Sequence, residues 1–133
     1  MLNLNVKAGS EDMVGRPEMA SALEWLERTG NGKTLFAKDG KTVLGVLGVV
    51  PVLPGVCEVF VIPSREQARY PKTFATAVRN EVYTLKLKFR RIQAIAAVDD
   101  FHTRWLSWLG FSKEGILKKY GTNGEDLAMW GLT

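Results

Sequence analysis

The sequence predicts an α/β protein in which one mixed β-sheet carries helices on its faces. Short runs of β-branched and apolar residues alternate with stretches in which apolar residues recur every three or four positions. The chain has 133 residues, of which 46% are hydrophobic and 24% are charged, and this composition is typical of a soluble globular protein and excludes disorder. A chain of this length predicts a single domain over residues 1–133.

The N-terminal part predicts a strand followed by a helix. Leu2, Leu4 and Val6 alternate with polar residues, which indicates a short opening strand. In the helix that follows, Pro17 suits the first turn and Gly30 suits the position just beyond the end. The apolar stripe of this helix consists of Met19, Ala22, Leu23 and Leu26.

Three strands are predicted next. Residues 34–38 lead into Asp39-Gly40, a strong signal for a tight hairpin, and then into residues 42–50. Pro54-Gly55 turns the chain again, and residues 56–62 form the third run. That run is apolar on both faces, which favours a central strand covered on both sides.

The remaining sequence predicts helix, strand, helix and hairpin. Residues 72–85 have helical spacing after Pro71, residues 92–98 form a strand, and residues 101–109 form a helix with Asp100 as N-cap and Gly110 as C-cap. Residues 116–120 and 127–132 form a hairpin around Asn123-Gly124. We interpret the helically spaced aromatic residues of the last helix as core: Phe101, Trp105 and Trp108. The predicted order is β-α-β-β-β-α-β-α-β-β.

Several classes of function are disfavoured by composition. One cysteine and one histidine are too few for an internal disulfide or a structural zinc site, so we expect no metal. The apolar run at residues 42–57 is broken by glycine and proline, and the first residues lack the apolar core of a secretion signal. We therefore expect a cytoplasmic protein with no membrane partner, in which Cys57 is a buried strand residue rather than a nucleophile.

The net charge of +4 indicates affinity for anions without choosing among them. The basic cluster at residues 86–91 has the composition of a phosphate-contacting segment of a nucleic-acid-binding protein. Cations also suit the C-terminal end of a helix, and this interpretation is the favoured one. Nucleic acid is therefore not the expected partner.

Three stretches carry a family resemblance. They are V-C-E-V-F-V-I-P at residues 56–63, I-A-A-V at 95–98 with W-L-S-W-L-G-F at 105–111, and G-I-L-K-K-Y at 115–120 with E-D-L-A-M at 125–129. Together with the predicted order of elements, they resemble the GNAT superfamily of acetyl-coenzyme A-dependent N-acetyltransferases. The resemblance implies a GNAT-like acyl-CoA N-acyltransferase fold, acetyl-CoA as cofactor and an amine as acceptor.

The resemblance also implies where acetyl-CoA binds. The backbone of Val59, Phe60 and Val61 corresponds to the part of the central strand that holds the thioester carbonyl. The family then has the pattern R-x-x-G-x-G/A, whereas this chain has S-R-E-Q-A-R-Y-P-K at residues 64–72. Without these glycines, the backbone cannot supply the usual contacts with the pyrophosphate. The resemblance then implies that side chains donate the hydrogen bonds: Arg65, Gln67, Arg69 and Lys72.

For the chemistry, the resemblance nominates Glu58, because some family members keep the carboxylate that deprotonates the amine on this strand. Asp99 and Asp100 at the end of the next strand are alternatives, with His102 as a partner for either. Asp100 is better explained as a helix cap. The position of the family's tyrosine acid is occupied by Leu106, and Tyr120 on the closing hairpin is the alternative proton donor.

Two functions therefore remain open. The first is an N-acetyltransferase acting on an unknown amine. The second is a catalytically lapsed protein of the same fold with a structural, assembly or interaction role and a protein partner. Residues 104–111 and the short N-terminus are also similar to short acetyltransferase-like proteins of tailed phages. That resemblance implies a phage protein in the host cytoplasm or the virion.

Overall fold

The computed structural model describes residues 17–133, so the predicted strand at Leu2–Val6 lies outside the described residues. The helices are α1 (Pro17–Thr29), α2 (Pro71–Lys86) and α3 (Asp100–Leu109), and a 3-10 helix covers Arg65–Arg69. The strands are β1 (Gly32–Phe36), β2 (Val43–Leu53), β3 (Val56–Pro63), β4 (Arg91–Ala97), β5 (Ser112–Leu117) and β6 (Leu127–Leu132). From α1 onward this is the predicted order, with the 3-10 helix added.

The strands form one six-stranded sheet in the order β1-β2-β3-β4-β6-β5. The pairs β1–β2, β4–β6 and β5–β6 are antiparallel, whereas β3 and β4 are parallel. Parallel neighbours need a crossover connection, and α2 lies in the segment that links β3 to β4. The predicted mixed α/β fold is confirmed.

The described residues fall into two compact units. The first contains α1, β1, β2 as far as Val50, and Phe60–Glu81. In its core, Leu23 and Leu26 of α1 are buried with Val46 and Ile62. From Ser21 onward the helix exposes Glu24 and Glu27, and it buries Leu23 and Leu26 of the predicted stripe. Ala22 is half-buried, and the side chain of Met19 lies outside the described residues.

The second unit contains Pro51–Val59 and Val82–Thr133. Strand β4 alternates in burial from Arg91 to Ala94, because successive side chains point to opposite faces of the sheet. Ile92 and Ala94 of β4 are buried, whereas Arg91 and Gln93 between them are half-buried. The other buried apolar residues of the unit include Val82, Leu85, Leu106, Leu109, Phe111, Ala128 and Trp130.

Both ends of α3 are capped. The prediction of Asp100 as N-cap is wrong by one residue, because Asp99 is the extended residue whose side chain accepts the N–H of His102. Asp100 instead begins the helix. The prediction for Gly110 is confirmed: it has φ +103° and its N–H donates to Leu106 and Ser107 carbonyls.

The interpretation of the α3 aromatic residues as core is wrong. Phe101 is 63% exposed and Trp108 is 44% exposed, and the rings of Trp105 and Trp108 stack with centroids 5.9 Å apart. The helix buries Leu106 and Leu109 instead. Neighbouring residues on a helix are about 100° apart around its axis, so the aromatic stripe lies beside the buried one.

Both hairpins differ from their prediction. Phe36 pairs with Val43, so residues 37–42 form a longer loop than a two-residue turn at Asp39-Gly40. Strand β5 ends at Leu117 rather than residue 120. Lys119 has φ +55°, a left-handed conformation that ends the extended backbone, and the Asp126 carboxylate accepts its N–H at 3.0 Å. Tyr120 therefore lies in the turn.

Candidate active site

Glu58 lies on β3 of the second unit, where its side chain is half-buried. It pairs with Gln93 in the parallel β3–β4 ladder, and Gln93 Nε2 donates to Glu58 Oε1 at 3.0 Å. Within residues 17–133, Oε2 of Glu58 accepts no hydrogen bond. The arrangement therefore holds one carboxylate oxygen and leaves the other able to accept a proton.

The β3–β4 ladder is short. In the described part of the chain it contains the pairs Val56–Arg91, Cys57–Ile92 and Glu58–Gln93, and it ends there. Strand β3 itself continues to Pro63. The residues predicted to hold the thioester carbonyl, Val59 to Val61, follow directly after Glu58, and their role stays a prediction.

A chain of polar side chains extends from Gln93 on the half-buried face of the second unit. Arg91 Nε donates to Gln93 Oε1 at 3.1 Å, while its Nη1 and Nη2 donate to Glu114 at 2.9 and 2.6 Å. These hydrogen bonds raise the pKa of Arg91 and lower the pKa of Glu114. The four residues Glu114, Arg91, Gln93 and Glu58 are called the polar chain below.

Asp99 and His102 come together at the start of α3. Asp99 accepts the backbone N–H of His102 at 2.7 Å, and His102 Nδ1 lies 2.8 Å from the same carboxylate oxygen. The backbone hydrogen bond and then the ring contact lower the pKa of Asp99. Contact at Nδ1 leaves Nε2 as the ring nitrogen that faces away from the carboxylate.

Tyr120 is not held in place in the same way. It lies in the β5–β6 turn, is 60% exposed, and forms no hydrogen bond to any residue that the structure describes. Its proposed role as a proton donor stays a prediction.

The segment at residues 64–72 belongs to the first unit and is anchored by a buried serine. Ser64 Oγ donates to the Val43 carbonyl at 2.6 Å, and its backbone N–H donates to Leu44 at 2.9 Å. The 3-10 helix Arg65–Arg69 follows directly. Backbone carbonyls of a neighbouring strand thus hold the start of this segment without any glycine.

The side chains of this segment that are predicted to contact the phosphates differ in whether they already pair with another residue. Arg69 pairs with Glu66 at 3.0 Å and its guanidinium lies 5.8 Å from the centroid of the Tyr70 ring. Arg65 has no ion-pair partner among the described residues. Lys72 lies in the first turn of α2. Arg65 and Lys72 are therefore the cations best able to bind an anion.

A cavity of about 350 Å³ lies in the first unit beside the start of α2. It is lined by Lys38, Lys72, Thr73, Thr76, Ala77 and Asn80. A neighbouring cavity of about 280 Å³ shares Lys38 and Thr73 and also meets the carboxylate residue Asp39. Arg65, Gln67 and Arg69 do not line either cavity.

Sequence reasoning missed Lys38, Thr73, Thr76 and Asn80, as well as the roles of Gln93, Arg91 and Glu114 in the polar chain. Thr73, Thr76 and Asn80 recur at helical spacing in α2, so a polar stripe was visible there. Arg91 and Gln93 alternate with Ile92 and Ala94, which also marks one polar face. Only Lys38 has no signal beyond its position before a turn.

No protein-family model and no curated protein matches the sequence. Among solved structures, the chain is similar to an acetyltransferase of the GNAT family from Bacillus anthracis, with a TM-score of 0.67 and 14% identity over 84% of this chain and 70% of that one. It is also similar to a mutant of the spermidine N-acetyltransferase SpeG from Vibrio cholerae, with a TM-score of 0.66 and 15% identity over 86% of this chain and 73% of that one.

A third similar structure is RimJ from Mycobacterium smegmatis in complex with CoA-disulfide, with a TM-score of 0.62 and 23% identity over 88% of this chain and 60% of that one. At sequence identities of 14–23%, these similarities show that the backbone has the same fold and show nothing further. None of the helices within residues 17–133 is long and apolar enough to cross a membrane. The described chain has the fold of the GNAT acetyltransferases.

Proposed function

We propose that the protein is an N-acetyltransferase that moves an acetyl group from acetyl-CoA to an amine, with Glu58 as the general base. The observation that carries the proposal is the hydrogen bonding and burial of the Glu58 carboxylate. One oxygen is held by Gln93 at 3.0 Å, the other accepts no hydrogen bond within the described chain, and the side chain is half-buried on a central strand. The GNAT fold supports it, because proteins similar in structure are acetyltransferases.

In the proposed reaction, acetyl-CoA supplies an activated acyl carbon. Glu58 Oε2 accepts a proton from the acceptor nitrogen, so that its lone pair can form the new C–N bond as the C–S bond breaks. Tyr120 is the proposed donor of the proton to the departing sulfur, and Asp99 with His102 is the alternative to Glu58 as the base. The backbone N–H groups of Val59, Phe60 and Val61 are the donors proposed for the acyl oxygen.

The first unit offers the donors for the phosphates of the cofactor. Arg65 and Lys72 are the primary candidates, with Gln67 and Arg69 as further contacts. Lys38 and Thr73 add an ammonium and a hydroxyl at the cavity beside α2, whose N-terminus also favours an anion. Of this donor set, Lys38, Lys72 and Thr73 line one cavity, where two ammonium groups and a hydroxyl suit a phosphate. The nearby Asp39 carboxylate opposes it and limits the affinity.

The alternative function is an interaction protein that has lost catalysis. Leu106, which occupies the family's acid position, is 6% exposed and part of the core. The phosphate segment also lacks glycine. A phage protein with a protein partner would suit this alternative. In either case we propose that residues 1–133 act as one domain in the cytoplasm.

Calorimetric titration with acetyl-CoA and with free CoA tests the proposal. We expect micromolar binding that the double variant Arg65→Ala/Lys72→Ala weakens by at least about tenfold, because each charge-assisted contact contributes about 1.5–3 kcal/mol. The control is Lys88→Ala/Lys113→Ala, which removes the same charge from exposed positions elsewhere. Equal weakening in both variants indicates a general charge effect rather than a site.

Turnover is then measured with a panel of amines by following the released CoA thiol. Glu58→Gln should lower turnover to a slow residual rate while cofactor binding persists. No heat at millimolar acetyl-CoA, or binding without transfer to any amine, contradicts the proposed activity and favours the interaction protein.

A further inference from the structure

We propose that Gln93 is a positioning residue that holds the Glu58 carboxylate, and that Arg91 sets the orientation of the Gln93 amide. The inference rests on the proposed function, since it assigns a second residue to the base. It is carried by the polar chain, in which each link is a hydrogen bond of 3.1 Å or shorter.

The orientation of the Gln93 amide follows from the chemistry of its two neighbours. An amide offers an oxygen that accepts and a nitrogen that donates, and a guanidinium can only donate. Arg91 Nε therefore requires Gln93 Oε1, at 3.1 Å, and this places Nε2 toward Glu58. An ionised carboxylate can only accept hydrogen bonds, and a general base must be ionised before it takes a proton. The amide therefore presents its N–H group to Glu58, which is the partner that suits the ionised carboxylate.

The Arg91 side chain is itself held at its far end. Its two Nη atoms bind both oxygens of Glu114, in the bidentate geometry that a lysine cannot reproduce. Gly131 of β6 lies beneath this pair, and a Cβ there would overlap the Glu114 carboxylate. A bare backbone on the intervening strand thus leaves room for the ion pair.

Stability alone is a poor explanation for this chain. Its outer members are solvent-accessible, with the side chains of Arg91 and Glu114 being 25% and 40% exposed, and ion pairs near the surface contribute little to folding. The hydrogen bonds instead determine the orientation of the Glu58 carboxylate. They fix which Glu58 oxygen is occupied and keep the side chain in one orientation, which a base needs when it must meet a bound amine.

The test measures kcat and KM in Gln93→Met, which keeps the length of the side chain and removes both hydrogen bonds. We expect kcat to fall by about tenfold or more while KM for acetyl-CoA stays constant, since removing one positioning contact disturbs the geometry of the base. Arg91→Lys should also lower kcat. Arg90→Lys is the matched control, because Arg90 donates to Pro54 and lies outside the polar chain.

Dependence on Glu58 separates positioning from a structural role. In a Glu58→Gln background, which retains slow transfer, Gln93→Met should cause no further loss of kcat. An equal loss in both backgrounds, or wild-type kcat in Gln93→Met, overturns the inference. Gln93→Leu serves as a second variant if the first does not fold. A wild-type chain that transfers no acetyl group overturns the proposed function itself and the role of Gln93 with it.

Discussion

Arg91 and Glu114 pair across the intervening strand β6, with Nη2 2.6 Å from Oε1 and Nη1 2.9 Å from Oε2. Gly131 is the β6 residue beneath them, and it pairs with Gln93 on one side and with Ser112 on the other. The ion pair therefore crosses β6 at a residue without a side chain. The role of that residue is steric, since its φ lies outside the left-handed region.

Gly131→Ala should destabilise the protein by less than about 1 kcal/mol, because the atoms that the new Cβ would meet are the ends of two flexible, solvent-accessible side chains that can move aside. The added Cβ would overlap the Glu114 carboxylate and displace the pair. The measurement is the free energy of unfolding in urea. Removing the obstructing carboxylate, in Gly131→Ala/Glu114→Ala, should recover much of the loss.

Gly115→Ala is the control for this prediction, because a Cβ at Gly115 meets no atom within 4 Å and its φ is not left-handed. It should leave the stability nearly unchanged. A double variant that is as unstable as the sum of its single variants would contradict the steric explanation.

A second prediction concerns the acid stability of the β1–β2 hairpin. Asp39 accepts the N–H and the hydroxyl of Thr42 at 2.9 and 2.7 Å and the N–H of Lys41 at 2.8 Å. These bonds, the Thr42 backbone foremost, lower the pKa of Asp39 from 3.8 to about 2. A lowered pKa in the folded state stabilises the fold above the unfolded pKa, and the contribution disappears as the pH falls through the folded value.

Asp39→Ala should therefore be less stable than the wild type near neutral pH. The difference in urea midpoint should narrow as the pH falls below about 4 and should disappear only below about pH 2, where the carboxyl of the folded wild type becomes protonated. Asp39→Asn, which keeps one acceptor oxygen and cannot ionise, is the control. A difference between Asp39→Ala and wild type that is independent of pH would show that the ionised carboxylate contributes nothing.

The helices and strands were predictable because their signals are local. Pro17 and Gly30 bound α1, Pro71 begins α2, and Gly110 ends α3, each through a backbone preference of that residue alone. The same reasoning failed where a tertiary contact decided the outcome. The spacing of Phe101, Trp105 and Trp108 predicts a helix, but it cannot tell which stripe of the helix packs on the sheet.

The candidate site was predictable residue by residue but not as an arrangement. Glu58 was conspicuous as a charge on an apolar strand. Its partner Gln93 depends on the register of two parallel strands, and the Arg91–Glu114 pair depends on the order of three strands in the sheet. No local pattern encodes either relationship. The cavity between Lys38 and Lys72 likewise joins residues far apart in sequence.

A third prediction concerns the single thiol. The predicted burial of Cys57 is confirmed, because its side chain is fully buried and burial raises its pKa to about 11. At pH 8 only roughly one thousandth of such thiols is ionised, and the thiolate is the reactive form. Ellman's reagent should thus fail to label the native protein and should label one thiol in denaturant. Rapid labelling without denaturant would show that the second unit opens readily.

The last prediction tests the core of the first unit with a matched pair of leucines. Leu26 is fully buried among Leu23, Val46 and Ile62, whereas Leu87 is 87% exposed. Leu26→Ala removes the same atoms as Leu87→Ala but leaves a cavity, so it should lower the free energy of unfolding by about 2–5 kcal/mol. Leu87→Ala should change it by less than about 0.5 kcal/mol, since exposed positions contribute little. Urea unfolding of both variants checks this, and equal effects would contradict the packing of α1 on β2 and β3.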